Sequence, residues 1–130
     1  MRILVATLSR DLLGGVEKYL QSLIPALLDR GHSIGLLYEY PSNREQDGID
    51  SGLEVPSWCV QELGMETALA SIRAFSPDLV YSQGLDIEAL EQALLDLYPT
   101  VFYAHTYWGT CITGTKTNSL PRIEPCGRRL

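Results

Sequence analysis

Two places in the 130-residue chain combine residue types that chemistry can use. The first is Gly14-Gly15, directly ahead of a segment with helical spacing. Glycines there bring bare backbone N–H groups to a helix N-terminus, where unpaired donors and the macrodipole favour a phosphate or a carboxylate. The same pair also serves a plain tight strand-to-helix turn. Neither the Gly-x-Gly-x-x-Gly fingerprint of dinucleotide binding nor the Lys-Ser/Thr of a phosphate-binding P-loop is present. The second place is His105, followed by Thr106, Tyr107 and Trp108. An imidazole at the carboxyl end of a strand can donate a hydrogen bond or exchange a proton near neutral pH. The polar-aromatic wall behind it suits a sugar, while a structural histidine is the plainer alternative.

Glu39, at the end of another strand-like stretch, is a candidate for a ribose hydroxyl, although acids at strand ends are common. His32 follows a helix end and reads as structural. His105, Cys111 and Cys126, with five and fourteen residues between them, match no structural zinc spacing. No metal and no cofactor are expected. No Ser-His-Asp or Cys-His triad fits the order of elements. A Cys111–Cys126 disulfide needs oxidising conditions, and burial of both as small hydrophobes is the preferred reading.

The elements that must position these residues follow from hydrophobic spacing. Arg2 to Thr7 is a short branched apolar run, the pattern of a strand buried on both faces. Val16, Leu20, Leu23, Ile24, Leu27 and Leu28 mark one face of a helix that Gly31 should cap, and Pro25 should kink it. Ser33 to Tyr40 reads as a strand and Pro41 to Gly52 as a polar loop. Leu53 to Val60 is a weaker strand, which Pro56 restricts to an edge or a bulge. Met65, Leu69, Ile72 and Phe75 mark a helix stopped by Ser76-Pro77. Asp78 to Ser82 is a strand, Asp86 to Leu97 a helix starting near Asp86 or Gly84, and Thr100 to Ala104 a last strand. Residues 106–130 show no period and read as loop.

Strands alternating with helices specify an α/β protein, with a Rossmann-like, doubly wound, mostly parallel sheet. The expected strand order is 3-2-1-4-5, with the switch between the first and fourth strands. Ligands then bind beyond the carboxyl ends of those strands, where Leu8 to Gly15, Gln83-Gly84 and His105 lie.

Composition narrows the function. With 45% hydrophobic and 20% charged residues, the chain is neither disordered nor fibrous. Its length fits a single domain. A net charge of −6 argues against nucleic acid as a partner. The charge is uneven: residues 1–100 carry 6 Lys and Arg against 15 Asp and Glu, residues 101–130 carry 4 against 1. That basic segment reads either as a solvated tail or as a surface for an anionic ligand. Three cysteines, no apolar run long enough for a membrane span and no signal-like N-terminus point to the cytoplasm.

The opening MRILVATLSRDLLGGVEKYLQSLIPALLDRGHSI resembles that of the large retaining family 4 of glycosyltransferases, with Gly14-Gly15, Glu17 and Arg30-Gly31-His32 as landmarks. SPDLVYSQG is similar to the family's Pro-Asp-hydrophobic-hydrophobic strand, and AHTYWGTCITGTKTNSLPRIEPCGRRL to the segment after its last strand. The resemblance implies two Rossmann-like domains facing across a cleft, the GT-B fold, with the acceptor on the N-terminal one and the nucleotide-sugar held mainly by the C-terminal one. It implies that Gly14 and Gly15 approach the donor phosphates and that His105 contacts the transferred sugar in the catalytic role. Glu17, Gln83, Gly84, Thr106, Tyr107 and Trp108 would line the acceptor side. Thr106 departs from the Asp or Asn of many members.

The resemblance ends at Leu130, short of the donor-binding domain, so the expectation is a partial N-terminal domain, inactive alone. The implied reaction moves a sugar from a nucleotide-sugar to a saccharide or lipid-linked acceptor, with which membrane association of the complete enzyme is compatible. Two other classes fit the same alternation: a flavodoxin-like binding or regulatory module, and a dinucleotide-binding oxidoreductase domain. The first would want close-set acids after the first strand, where only Asp11 stands; the second lacks its third glycine.

Overall fold

Branched apolar runs build the centre of the molecule. A computed structural model describes residues 1–12, 14–42 and 48–104, together with the backbone of 117–118 and 124–125. Strand β1 (Arg2–Ser9) buries every residue from Ile3 to Thr7, so its side chains are covered on both faces. Strand β2 (Ser33–Tyr40) is likewise buried from Ile34 to Glu39. Helix α1 (Gly15–Asp29) joins them and continues through Pro25. It ends where expected: Gly31 adopts φ +80, and its N–H reaches the Leu28 carbonyl at 2.8 Å. A left-handed residue just past the last turn closes a helix in this way, and glycine takes that conformation without a Cβ penalty.

Strand β3 is shorter than its sequence suggests, Ser57–Cys59 only, because Pro56 has no N–H to pair; its carbonyl accepts from Leu36 N–H at 2.9 Å. Helix α2 (Val60–Leu63) and helix α3 (Met65–Phe75) follow, and Ser76 at φ 53 ends α3 ahead of Pro77. Strand β4 (Leu79–Ser82), helix α4 (Glu88–Leu97) and strand β5 (Thr100–Phe102) complete the alternation. The N-cap of α4 is Ile87, not Asp86 or Gly84. Two short antiparallel strands, β6 (Thr117–Asn118) and β7 (Glu124–Pro125), lie in the segment that reads as loop from sequence.

All five long-range strands are parallel in the order β3-β2-β1-β4-β5. The sheet is covered on both sides. On one side, Leu20 and Ile24 of α1 pack with Ile3, Val5, Ile34 and Leu36, and Ile49 from the β2–β3 connection joins them. On the other, Ala68 and Ile72 of α3 and Leu90 and Leu94 of α4 pack with Leu4, Ala6, Leu37 and Val80. Alternate residues of one strand thus feed two cores, the arrangement of a Rossmann-like fold.

Candidate functional site

Because β1 and β4 are neighbours while α1 and α4 leave them toward opposite faces, a crevice must open beyond their carboxyl ends. It is a cleft of about 570 Å³. Thr7 and Leu8 come from β1, Val16 and Glu17 from α1, Gln83 to Asp86 from the loop after β4, Glu91 from α4, and Phe102 and Ala104 from the end of β5. Glu17, Gln83 and Gly84, singled out from sequence, are therefore brought together. Gly14 and Gly15 immediately precede the lining residue Val16 without lining the cleft themselves. His105, Thr106, Tyr107 and Trp108 lie outside the described residues, and Ala104, one position before His105, faces the cleft.

The start of α1 is not a bare row of donors. The Gly14 N–H donates to Glu17 Oε2 at 2.8 Å, so the helix supplies its own anion. Glycine has no side chain to return the favour, so this is half of a capping box. Neither glycine has a positive φ, and a Cβ built on Gly15 meets nothing within 4 Å. The fold therefore has no steric need for glycine at position 15.

The loop after β4 is held at nearly every residue. The Gln83 N–H donates to the Ala6 carbonyl at 2.9 Å, and Gly84 N–H to Ser82 Oγ at 3.1 Å. Ser82 Oγ in turn donates to Glu91 Oε1 at 2.8 Å, while Glu91 Oε2 accepts from Leu85 N–H at 2.7 Å. Asp86 N–H and Ile87 N–H go to the two oxygens of Glu39 at 2.9 and 2.8 Å. The Tyr40 hydroxyl donates to Asp86 Oδ2 at 2.9 Å. Gly84 sits at φ +91, where a Cβ is strained, so the bend that presents Gln83 requires glycine.

Glu39 corrects the sequence reading. It is fully buried and both of its oxygens are engaged by loop amides, so it holds no ribose hydroxyl. Burial pushes its carboxyl above the usual glutamate range, opposed by the hydrogen bonds from Ile87 and Asp86. The bond to the Asp86 carboxylate raises the Tyr40 hydroxyl, which has to lose a proton that the acid is accepting. The signal that could have found this clamp was an acid closing the buried run Ile34 to Glu39 of a strand: such a group needs donors from elsewhere in the chain.

Beside the cleft, three tyrosines tie α1, β4 and the end of β5 together. Tyr19 and Tyr81 share a hydroxyl hydrogen bond of 3.0 Å, and Tyr103 stacks on Tyr19 with ring centroids 5.8 Å apart. Burial, then the bond to Tyr19, pushes the Tyr81 hydroxyl up to about 12. Spacing gave no sign of this cluster, since its members belong to three different elements.

No family model, curated protein or solved structure matches the chain. The geometry of the cleft therefore carries the functional argument. Among the described lining residues the charged ones, Glu17, Asp86 and Glu91, are all acidic. No group of three metal-binding side chains occurs among the described residues, and no helix there is long and apolar enough to cross a membrane. Cys59 is buried and free; Cys111 and Cys126 lie outside the described residues.

Proposed function

We propose that this chain is the acceptor-side, Rossmann-like domain of a glycosyltransferase that moves a sugar from a nucleotide-sugar donor to a saccharide or lipid-linked acceptor. The observation that carries the reading is the composition of the switch-point cleft. Hydroxyl, amide and carboxylate groups of Thr7, Gln83, Glu17, Asp86 and Glu91 share about 570 Å³ with the apolar surfaces of Leu8, Val16 and Phe102. That mixture fits a neutral polyhydroxylated ring, whose hydroxyls need acceptors and whose C–H faces need apolar contact. It is a poor cradle for a diphosphate, which the acids would repel. In this reading the donor phosphates are neutralised by basic groups outside this lining, on a donor-binding domain, and reach Gly14 and Gly15 only by displacing the Glu17 carboxylate from the Gly14 N–H. His105, one residue past Ala104, would contact the transferred sugar, with Thr106, Tyr107 and Trp108 along the acceptor path. A cytoplasmic setting belongs to the same proposal.

The engagement of Glu39 by backbone amides argues against the dinucleotide alternative, which would use an acid at that strand end for the ribose. Asp11, the acid after β1 on which a phospho-acceptor reading would rest, is buried and accepts from the Ser42 hydroxyl. Titrating the 15N-labelled chain with methyl glycosides, UDP, GDP and NAD separates the classes. Glycosides should shift the amides of Gln83, Gly84 and Leu85. Shifts produced by NAD alone, or by none of these ligands, would overturn the proposal. The chain by itself should show no sugar transfer, and detectable turnover would contradict the division of labour between two domains.

A further inference from the structure

We propose that Glu39 is a positioning residue for the cleft: acting through the Asp86 and Ile87 amides, it holds the loop after β4 in the shape that presents Gln83 and Gly84 to a ligand. The ligand part of this inference rests on the sugar-site reading above. Glu39 lies on the same face of β2 as Leu37, is fully buried, and stays outside the cleft lining. An apolar residue there would pack with Leu37 at least as well. It would leave the Asp86 and Ile87 amides without the carboxylate that accepts them. The acid is thus explained by the loop and not by the core.

Electrostatics agree with that assignment. The charged groups that bear on Glu39, Asp86 in the loop and Glu91 on α4, are acidic, so neither offsets its charge. What opposes the charge is the pair of amides and the positive end of the ten-residue helix α4. A buried carboxylate survives only with such donors. The loop is divided accordingly. Its first half hangs on Ser82 and Glu91, and its second half on Glu39, with Tyr40 holding the Asp86 side chain.

Glu39→Gln is nearly isosteric, keeps one acceptor oxygen, and turns an NH2 toward the second amide. In the 15N-labelled 130-residue chain, hydrogen exchange at Asp86 and Ile87 should accelerate about tenfold or more, with Val5 in the core unchanged. Affinity for the best-bound methyl glycoside, read at Gln83 and Gly84, should fall about tenfold. A purely structural Glu39 would lower the melting temperature while leaving those amides and that affinity as they were, which would overturn the proposal. Should the variant fail to fold, the wild type is titrated with acid instead. The Asp86 and Ile87 amides should then shift together with one midpoint above the ordinary glutamate value, and a flat response would overturn the clamp. A wild-type chain that binds no glycoside, beside a variant with freed amides, removes the sugar reading and keeps the clamp.

Discussion

Replacing Gly15 by alanine separates a structural glycine from one kept for a visitor. Gly15 is the first residue of α1, its φ is not positive, and a Cβ placed there touches nothing within 4 Å. Under those conditions Gly→Ala restricts the unfolded chain more than the folded one and stabilises by about 0.4–1 kcal/mol. For a domain of this size that corresponds to a rise in Tm of roughly 1–5 °C. Thermal and urea unfolding followed by circular dichroism would measure it. Gly84→Ala is the internal control: the site has φ +91, so the same change should destabilise by about 1–2 kcal/mol. If, as proposed, the chain belongs to a glycosyltransferase in which Gly15 keeps the helix start open for donor phosphates, Gly15→Val in that enzyme should depress turnover severely without unfolding it. A fall in Tm for Gly15→Ala would refute this reasoning, because it would mean that the turn itself needs the glycine.

Other expected outcomes follow from single contacts. Gly35→Ala should destabilise by about 1–3 kcal/mol in urea, since a Cβ there would stand 2.9 Å from Trp58 and 3.0 Å from Phe75, two rings packed against each other. Glu17→Ala removes the anion at the start of α1 and should cost about 0.5–1.5 kcal/mol, with Glu17→Gln recovering most of the hydrogen bond but not the charge; equal losses would show that charge dominates. With the Tyr81 hydroxyl at about 12 against an ordinary value of 10.0, the folded chain holds a proton that the unfolded chain has lost in that interval. Stability should therefore fall as pH rises from about 10 to 12, and Tyr81→Phe should remove that part of the slope. Phenolate absorbance should show one tyrosine titrating last, and uniform titration near 10 would contradict the Tyr19 contact.

Much of the fold was legible because local and global preferences agree. The spacing of Met65, Leu69, Ile72 and Phe75 gave α3 to the residue, and the mostly apolar stretch of β2, broken by Gly35 and Glu39, gave that strand from Ser33 to Tyr40. Strand order followed from the alternation of strands and helices and from the rule that crossovers keep one hand. Boundaries set by tertiary bonds were not legible. The start of α4 is fixed by Glu39 reaching from 48 residues earlier, a distance no local pattern spans. The site was half legible: Gln83 and Gly84 fell at a strand end, as topology requires, while Glu17 entered only through the family resemblance. Glu91 and Phe102, which also line the cleft, sat among helix and strand residues with nothing to set them apart.

The registers of the sheet explain why there is an opening at all. β1 is paired with β2 as far as Ser9 opposite Tyr40, but with β4 only as far as Ala6 opposite Ser82. On that flank β1 outruns its neighbour by three residues, a step of roughly 10 Å at the rise of an extended chain. The recess is thus a difference in strand length made visible. Extending β4 by two or three ladder positions would draw Gln83, Gly84 and Leu85 out of the walls and into the sheet, and the recess would close.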